Sequence, residues 1–263
     1  METTLVTGPT SWPLTLAEAK KHLYINTANT SDDALVYALI RGATQWVEQY
    51  TKRRLVSQTT KLFLRDWPRN DYITYPYGQL QSVTHIKYKN TAGTQFTWDS
   101  GEYIVDTDSD PGRVVVGYGE SYPTTALYPS LPIETQFVSG YYYGSVWAVN
   151  TAYTTEIITP TTANMNGLAY QCTVAGTTHA ATEPTWPTTI GGTVADGTAT
   201  WTCVGRAIPD SIRHAIKIVI ADGYENRESQ FIETGRALMV NKTRAIEILL
   251  APYILFSNAY VQA

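Results

Sequence analysis

The run Asp106-Thr-Asp-Ser-Asp110-Pro-Gly112 places three carboxylates at alternate positions, the opening half of a calcium-binding loop. The second half fails. Glycine falls at loop position 7 instead of 6, and position 12 is Gly117, not the bidentate glutamate the ion needs. Asp-Pro-Gly is itself turn chemistry, so the run predicts a hairpin turn. The four histidines (His22, His85, His179, His214) show no metal-ligand spacing and no His-Glu-x-x-His. The chain also lacks a nucleophile elbow, a phosphate-cradling Walker loop and a dinucleotide fingerprint. Cys172 and Cys203 each follow an aromatic residue by two positions (Tyr170, Trp201), which on a strand puts thiol and ring on one face. They could pair across strands, but a product of a reducing compartment keeps them as buried hydrophobes. No catalytic residue, metal ligand or cofactor site is predicted, and the chain reads as a non-enzyme.

Aromatic side chains offer a different chemistry. Trp147, Trp186 and Trp201 lie among threonines and glycines in a stretch almost free of charge. Exposed rings in such a setting would stack on sugars. Equally, they would be the core of a small β-domain that has few other large apolar residues, and the energetic weight of buried aromatics favours this second reading.

These residues must be held by elements, and the elements can be read from hydrophobic period. Thr15 can cap a helix over 16–23, with Glu18 completing a capping box. A second helix starts at Ser31, with Asp32 and Asp33 in its first turn. It carries Leu35, Leu39, Ala43 and Val47 as an apolar stripe that Val36, Ile40 and Tyr50 widen, and ends near Lys52-Arg53-Arg54 after about five turns. From Leu55 the period changes to two. Strands are expected at 59–65, 83–89, 95–98, 103–106, 113–118 and 133–138, forming an antiparallel meander or small sandwich. Pro209 opens a third helix bearing Ile212, Ile216, Val219, Ile220 and Tyr224, and a last helix runs from Val240 to Leu250 until Pro252 stops it.

Composition then divides the chain. Over 263 residues the charged fraction is 16%, against roughly 25% in ordinary soluble domains, and the net charge is -4. Between Ser145 and Gly205 there are 17 threonines, no lysine or arginine, and only Glu156, Glu183 and Asp196 as formal charges. The fold class expected is therefore α+β: two N-terminal and two C-terminal helices packed with an antiparallel sheet in a discontinuous domain (1–144 and 206–263), plus a small all-β insertion (145–205). No apolar run is long enough to span a bilayer, and Met1 to Pro13 has no signal-peptide pattern. A weakly acidic chain is also ill suited to gripping phosphates.

Several motifs in matching order carry a family resemblance. Leu14-Thr-Leu-Ala-Glu-Ala-Lys-Lys-His-Leu23, Asp32-Asp-Ala-Leu35, Val47-Glu-Gln-Tyr-Thr-Lys-Arg53 with Gln58-Thr59, Thr135-Gln-Phe-Val-Ser-Gly-Tyr141 and Ile208-Pro-Asp-Ser-Ile-Arg-His-Ala-Ile216 with Tyr224-Glu-Asn-Arg-Glu228 resemble the head–tail connector (adaptor) proteins of long-tailed bacteriophages. Lys52 stands where that family often has glycine. The threonine-rich block departs from the family. Gly167-Leu-Ala-Tyr-Gln-Cys172, Glu183-Pro-Thr-Trp186 and Asp196-Gly-Thr-Ala-Thr-Trp-Thr-Cys203 look like a small β-module of phage structural proteins, distantly similar to carbohydrate-binding modules.

The resemblance implies a ring of twelve copies in the virion neck, assembled in the host cytoplasm. The ring would sit beneath the portal protein and above a tail-completion protein, and DNA would pass through it without sequence-specific binding or any membrane contact. Subunit or portal contacts are then expected at Arg41, Glu48, Arg53, Arg227 and Glu228 and along the apolar tail Tyr253, Ile254, Leu255, Phe256 and Tyr260. A glycan-binding virion decoration, acting through Trp147, Trp186 or Trp201, is the alternative function.

Overall fold

The structure, a computed structural model, describes residues 1–226 and 244–255. The chain divides into two compact units, one of residues 1–140 with 214–263 and the other of Tyr141–Arg213.

The first unit contains β1 (Glu2–Thr7), α1 (Leu16–His22), α2 (Asp33–Thr51), β2 (Gln58–Leu64), β3 (Tyr72–Thr74), β4 (Leu80–Lys89), β5 (Gln95–Thr97), β6 (Tyr103–Asp106), β7 (Arg113–Val116) and β8 (Ile133–Ser139). Thr15 and Glu18 form the expected capping box at α1. In α2 the buried stripe is Val36, Ile40, Ala43 and Val47, while Leu35 and Leu39 are only half-buried. All four buried residues belong to the widened stripe read in the sequence, and Thr44 and Thr51 join them on the buried side. These two threonines are not part of that apolar stripe. Each satisfies its hydroxyl by donating to the carbonyl four residues back, Ile40 and Val47, so a polar side chain can occupy the core side.

The strands form a five-stranded antiparallel sheet in the order β1-β2-β8-β4-β5 and a three-stranded sheet β3-β7-β6. This is no simple meander. The last strand, β8, inserts between β2 and β4, and β2 and β8 alternate strictly between buried and half-buried side chains. Leu62, Ile86, Ile133, Phe137, Tyr75 and Trp98 make the core between the sheets. Strands β1 and β3 carry no readable period in the sequence. All six residues of β1 are exposed, so nothing in its composition reports a core.

The second unit holds β9 (Ser145–Val146), β10 (Ala152–Tyr153), β11 (Ile157–Thr159), β12 (Leu168–Val174), β13 (Gly176–Thr177), β14 (Thr193–Asp196) and β15 (Ala199–Arg206). Its main sheet runs β14-β15-β12-β11-β9, with a two-stranded β10-β13 ribbon beside it in the topology. The β14–β15 hairpin turns at Asp196-Gly197-Thr198. Gly197 sits at φ 62, and a side chain there would strike the Thr177 carbonyl. Helix α3 (Asp210–Glu225) follows, with Ala215, Ile216 and Ile220 buried, and residues 244–250 are again helical. No helix among the described residues is long and apolar enough to cross a membrane.

Candidate assembly surface

The acidic run folds into the β6–β7 hairpin turn. Asp106 accepts hydrogen bonds from the Ser109 hydroxyl and from the Asp108 and Ser109 amides, and pairs with Arg113. The Ser109 hydroxyl contributes most to holding its pKa down at about 2. Among the described residues no group of three His, Cys, Asp or Glu side chains could hold a metal ion. The structure does bring two of the scattered histidines near each other: burial, Lys217 and His214 together lower the pKa of His22. His85 instead faces Glu134, and His179 Nδ1 accepts from the Thr182 amide. Cys172 and Cys203 are free thiols, buried on β12 and β15.

The three tryptophans are core residues. Trp201 is wholly buried, and Trp147 and Trp186 are 7% and 6% exposed, so none presents a ring face to a sugar. Their indole nitrogens are held from inside. Asp196 Oδ2 accepts from Trp147 at 2.7 Å and from Trp201 at 3.2 Å, while Oδ1 accepts the His179 amide. Glu183 accepts from Trp186 and from the Thr161 amide. Glu156 accepts the amides of Thr154 and Thr155. Asp196 and Glu183 thus hold the indoles from inside, while the exposed Glu156 accepts from its own turn. The stacking alternative gives way because a unit this small needs its largest rings inside.

The expected contact residues fare unevenly. Arg41 is exposed on α2. Glu48 is half-buried and accepts from Arg54, from the Leu55 amide and from Gln58. Arg53 is 5% exposed and is not available to a neighbour. Its guanidinium makes a two-pronged pair with Asp110 at 2.8 and 2.9 Å, and its Nε donates to the Tyr253 carbonyl. Nearby, Leu255 is buried and its amide donates to Thr51 at the end of α2. Tyr253, Ile254 and Leu255 therefore lie along their own chain, where a free apolar arm was expected, because the Arg53 and Thr51 groups at the α2 terminus supply its backbone with partners. Arg227, Glu228, Phe256 and Tyr260 lie outside the described residues, as does the start of the last helix at Val240.

What sequence reading missed is a groove of about 530 Å³ between the N-terminal arm and the C-terminal half of α2. Leu5, Pro9 and Trp12 line it on the arm side, with Gln45, Lys52 and Arg54 opposite. Arg54 lies over the Tyr77 ring at 4.1 Å, and its Nε is buried without a hydrogen-bond partner among the described residues. Lys52 is exposed at φ 58 and makes no ion pair among the described residues.

Residues 13–106 match the family model described as phage gp6-like head-tail connector protein, a stretch running from the start of α1 to the end of β6. That segment, about a third of the chain, is similar to the gp6-like connector family. Among solved structures, the neck of an empty gene transfer agent particle (computed with C6 symmetry) aligns at TM-score 0.56 and 16% identity, covering 97% of this chain and 96% of that one. The native particle's virion and its neck computed with C12 symmetry align at the same TM-score and coverage with 17% identity. At that identity the likeness is one of fold. No curated protein sequence matches the chain.

Proposed function

We propose that this chain is a structural subunit of a virion neck, one copy in a ring that joins the capsid vertex to the tail and continues the DNA channel. The observation that carries the reading is the connector-family match over residues 13–106, which takes in the α1–α2 pair and the sheet strands that follow it. The fold likeness to gene transfer agent neck structures supports it, and the C12 symmetry of one of them supports twelve copies. Portal protein above and a tail-completion protein below are the partners such a position implies. The unit Tyr141–Arg213 reads as a module inserted into the connector body.

The physical chemistry is compatible with a conduit. With 19 basic and 23 acidic side chains and a unit whose Ser145–Gly205 stretch carries no cation, the protein has little with which to trap passing phosphates. A subunit of this kind works through rigid faces and has no reaction to catalyse. Negative-stain microscopy of the purified chain, alone and mixed with portal rings, tests the reading. The expected result is rings stacked coaxially on portal. A chain that leaves portal rings bare at micromolar concentration would overturn it.

A further inference from the structure

The turn Gly117-Tyr118-Gly119-Glu120 stands out from the end of β7 as a rigid knob. Glu120 donates its amide to the Gly117 carbonyl, closing a β-turn, and Gly119 takes φ 80 at the position where such a turn requires it. The knob is anchored at both ends. The Gly117 amide donates to Glu102, and Tyr122 stacks on Trp67 at 5.0 Å while donating its hydroxyl to the Asn70 carbonyl. What the turn presents is one fully exposed aromatic ring, Tyr118, and one exposed carboxylate, Glu120.

The groove beside α2 has the complementary chemistry. Leu5, Pro9 and Trp12 offer an apolar wall, and Lys52 and Arg54 offer positive charge. Its one acid, Glu48, is already compensated by three donors. Knob and groove lie at opposite ends of β7. Arg113 pairs with Thr74, three residues from the groove's Tyr77, whereas Val116 adjoins the knob, about 10 Å along the strand. Two different, complementary faces on one chain are what a head-to-tail ring contact needs.

We propose that the Tyr118–Glu120 knob of one copy docks in the Trp12–Lys52–Arg54 groove of the next, with Tyr118 against the apolar wall and Glu120 paired with Lys52. The inference rests on the ring reading and names the contact that would close it. Because the turn is pre-formed, docking orders little new backbone, which favours a contact between otherwise monomeric copies.

The test uses two full-length variants, Glu120→Cys and Lys52→Cys, mixed at high concentration under mild oxidation; both sites are exposed, and the native thiols are buried. Mixed disulfide dimers should exceed either like pair by about tenfold, because only the mixed pair is brought together by docking. A second change, Tyr118→Ala in the Glu120→Cys chain, should reduce that excess severalfold while leaving its melting curve unchanged. Like and mixed dimers in statistical proportion, or no dimers at all, overturn the pairing. If wild-type rings are still seen by microscopy in that case, the ring reading stands and only this contact falls. If no rings form either, both fall.

Discussion

Lys52 holds a left-handed backbone, φ 58, at the C-cap of α2, a conformation in which a β-carbon crowds the neighbouring carbonyl. Lys52→Gly should therefore raise folding stability by about 0.5–1 kcal/mol, read from urea denaturation. The same change should weaken knob-in-groove association, since it removes the groove's unpaired cation. Asp106 gives a pH-dependent counterpart. Its carboxyl is held near 2 in the folded chain, so its contribution is full above the ordinary carboxylate range and disappears as pH falls towards 2. Asp106→Asn should lower the Tm at pH 6 and narrow its gap to wild type at pH 2.5. An unchanged gap would show that the Ser109 and Arg113 contacts do not favour the charged form. Asp106, Asp110 and Gly112 were legible as a turn because Asp-Pro-Gly chemistry is local. The partner of Arg53 was not, because Asp110 lies 57 residues away in sequence and Tyr253 lies 200.

At the scale of elements, α2 ends at a junction where Arg53 joins the helix terminus, the β6–β7 hairpin and the C-terminal segment. Arg53→Met removes the buried guanidinium from the exposed Asp110 carboxylate and from the Tyr253 carbonyl and should cost about 1–2 kcal/mol in urea denaturation, with faster proteolysis near Tyr253 as a local sign. In the second unit Asp196 holds two indoles at once. Asp196→Asn places an amide donor against donors and should cost about 2–3 kcal/mol, seen as an early loss of near-ultraviolet tryptophan dichroism. The period of two revealed β2, β4, β5, β6, β7 and β8, most plainly in β2 and β8, where one face is buried throughout. It could not reveal β1, which buries nothing, nor the place of β8 between β2 and β4, which is a long-range choice of partner. Thr44 and Thr51 fall outside the apolar stripe of α2 because they count as polar until their hydroxyls are seen to be satisfied within the helix.

For the whole molecule, the shortage of charge has a structural meaning. In the unit Tyr141–Arg213, Glu183 and Asp196 accept from indole and backbone donors, the exposed Glu156 accepts from its own turn, and the Ser145–Gly205 stretch supplies no cation at all. That stretch offers mainly hydroxyl and apolar groups, and Arg41, Lys52 and Glu120 are exposed charges of the first unit. Ring formation should accordingly weaken with rising salt, in keeping with a contact that uses Glu120 and Lys52. The helical pair and the composition break were plain in the sequence. The groove was not, since it joins the N-terminal arm to a helix end some 40 residues away and has no local signature.

The central claim is position in the particle, and cryo-electron microscopy of virions at the head–tail vertex tests it most directly. The account predicts twelve-fold density beneath the portal into which both units of this chain fit, with the Tyr118 turn of each copy against the next copy's α2. Intact necks whose density contains no copy of this fold would contradict it.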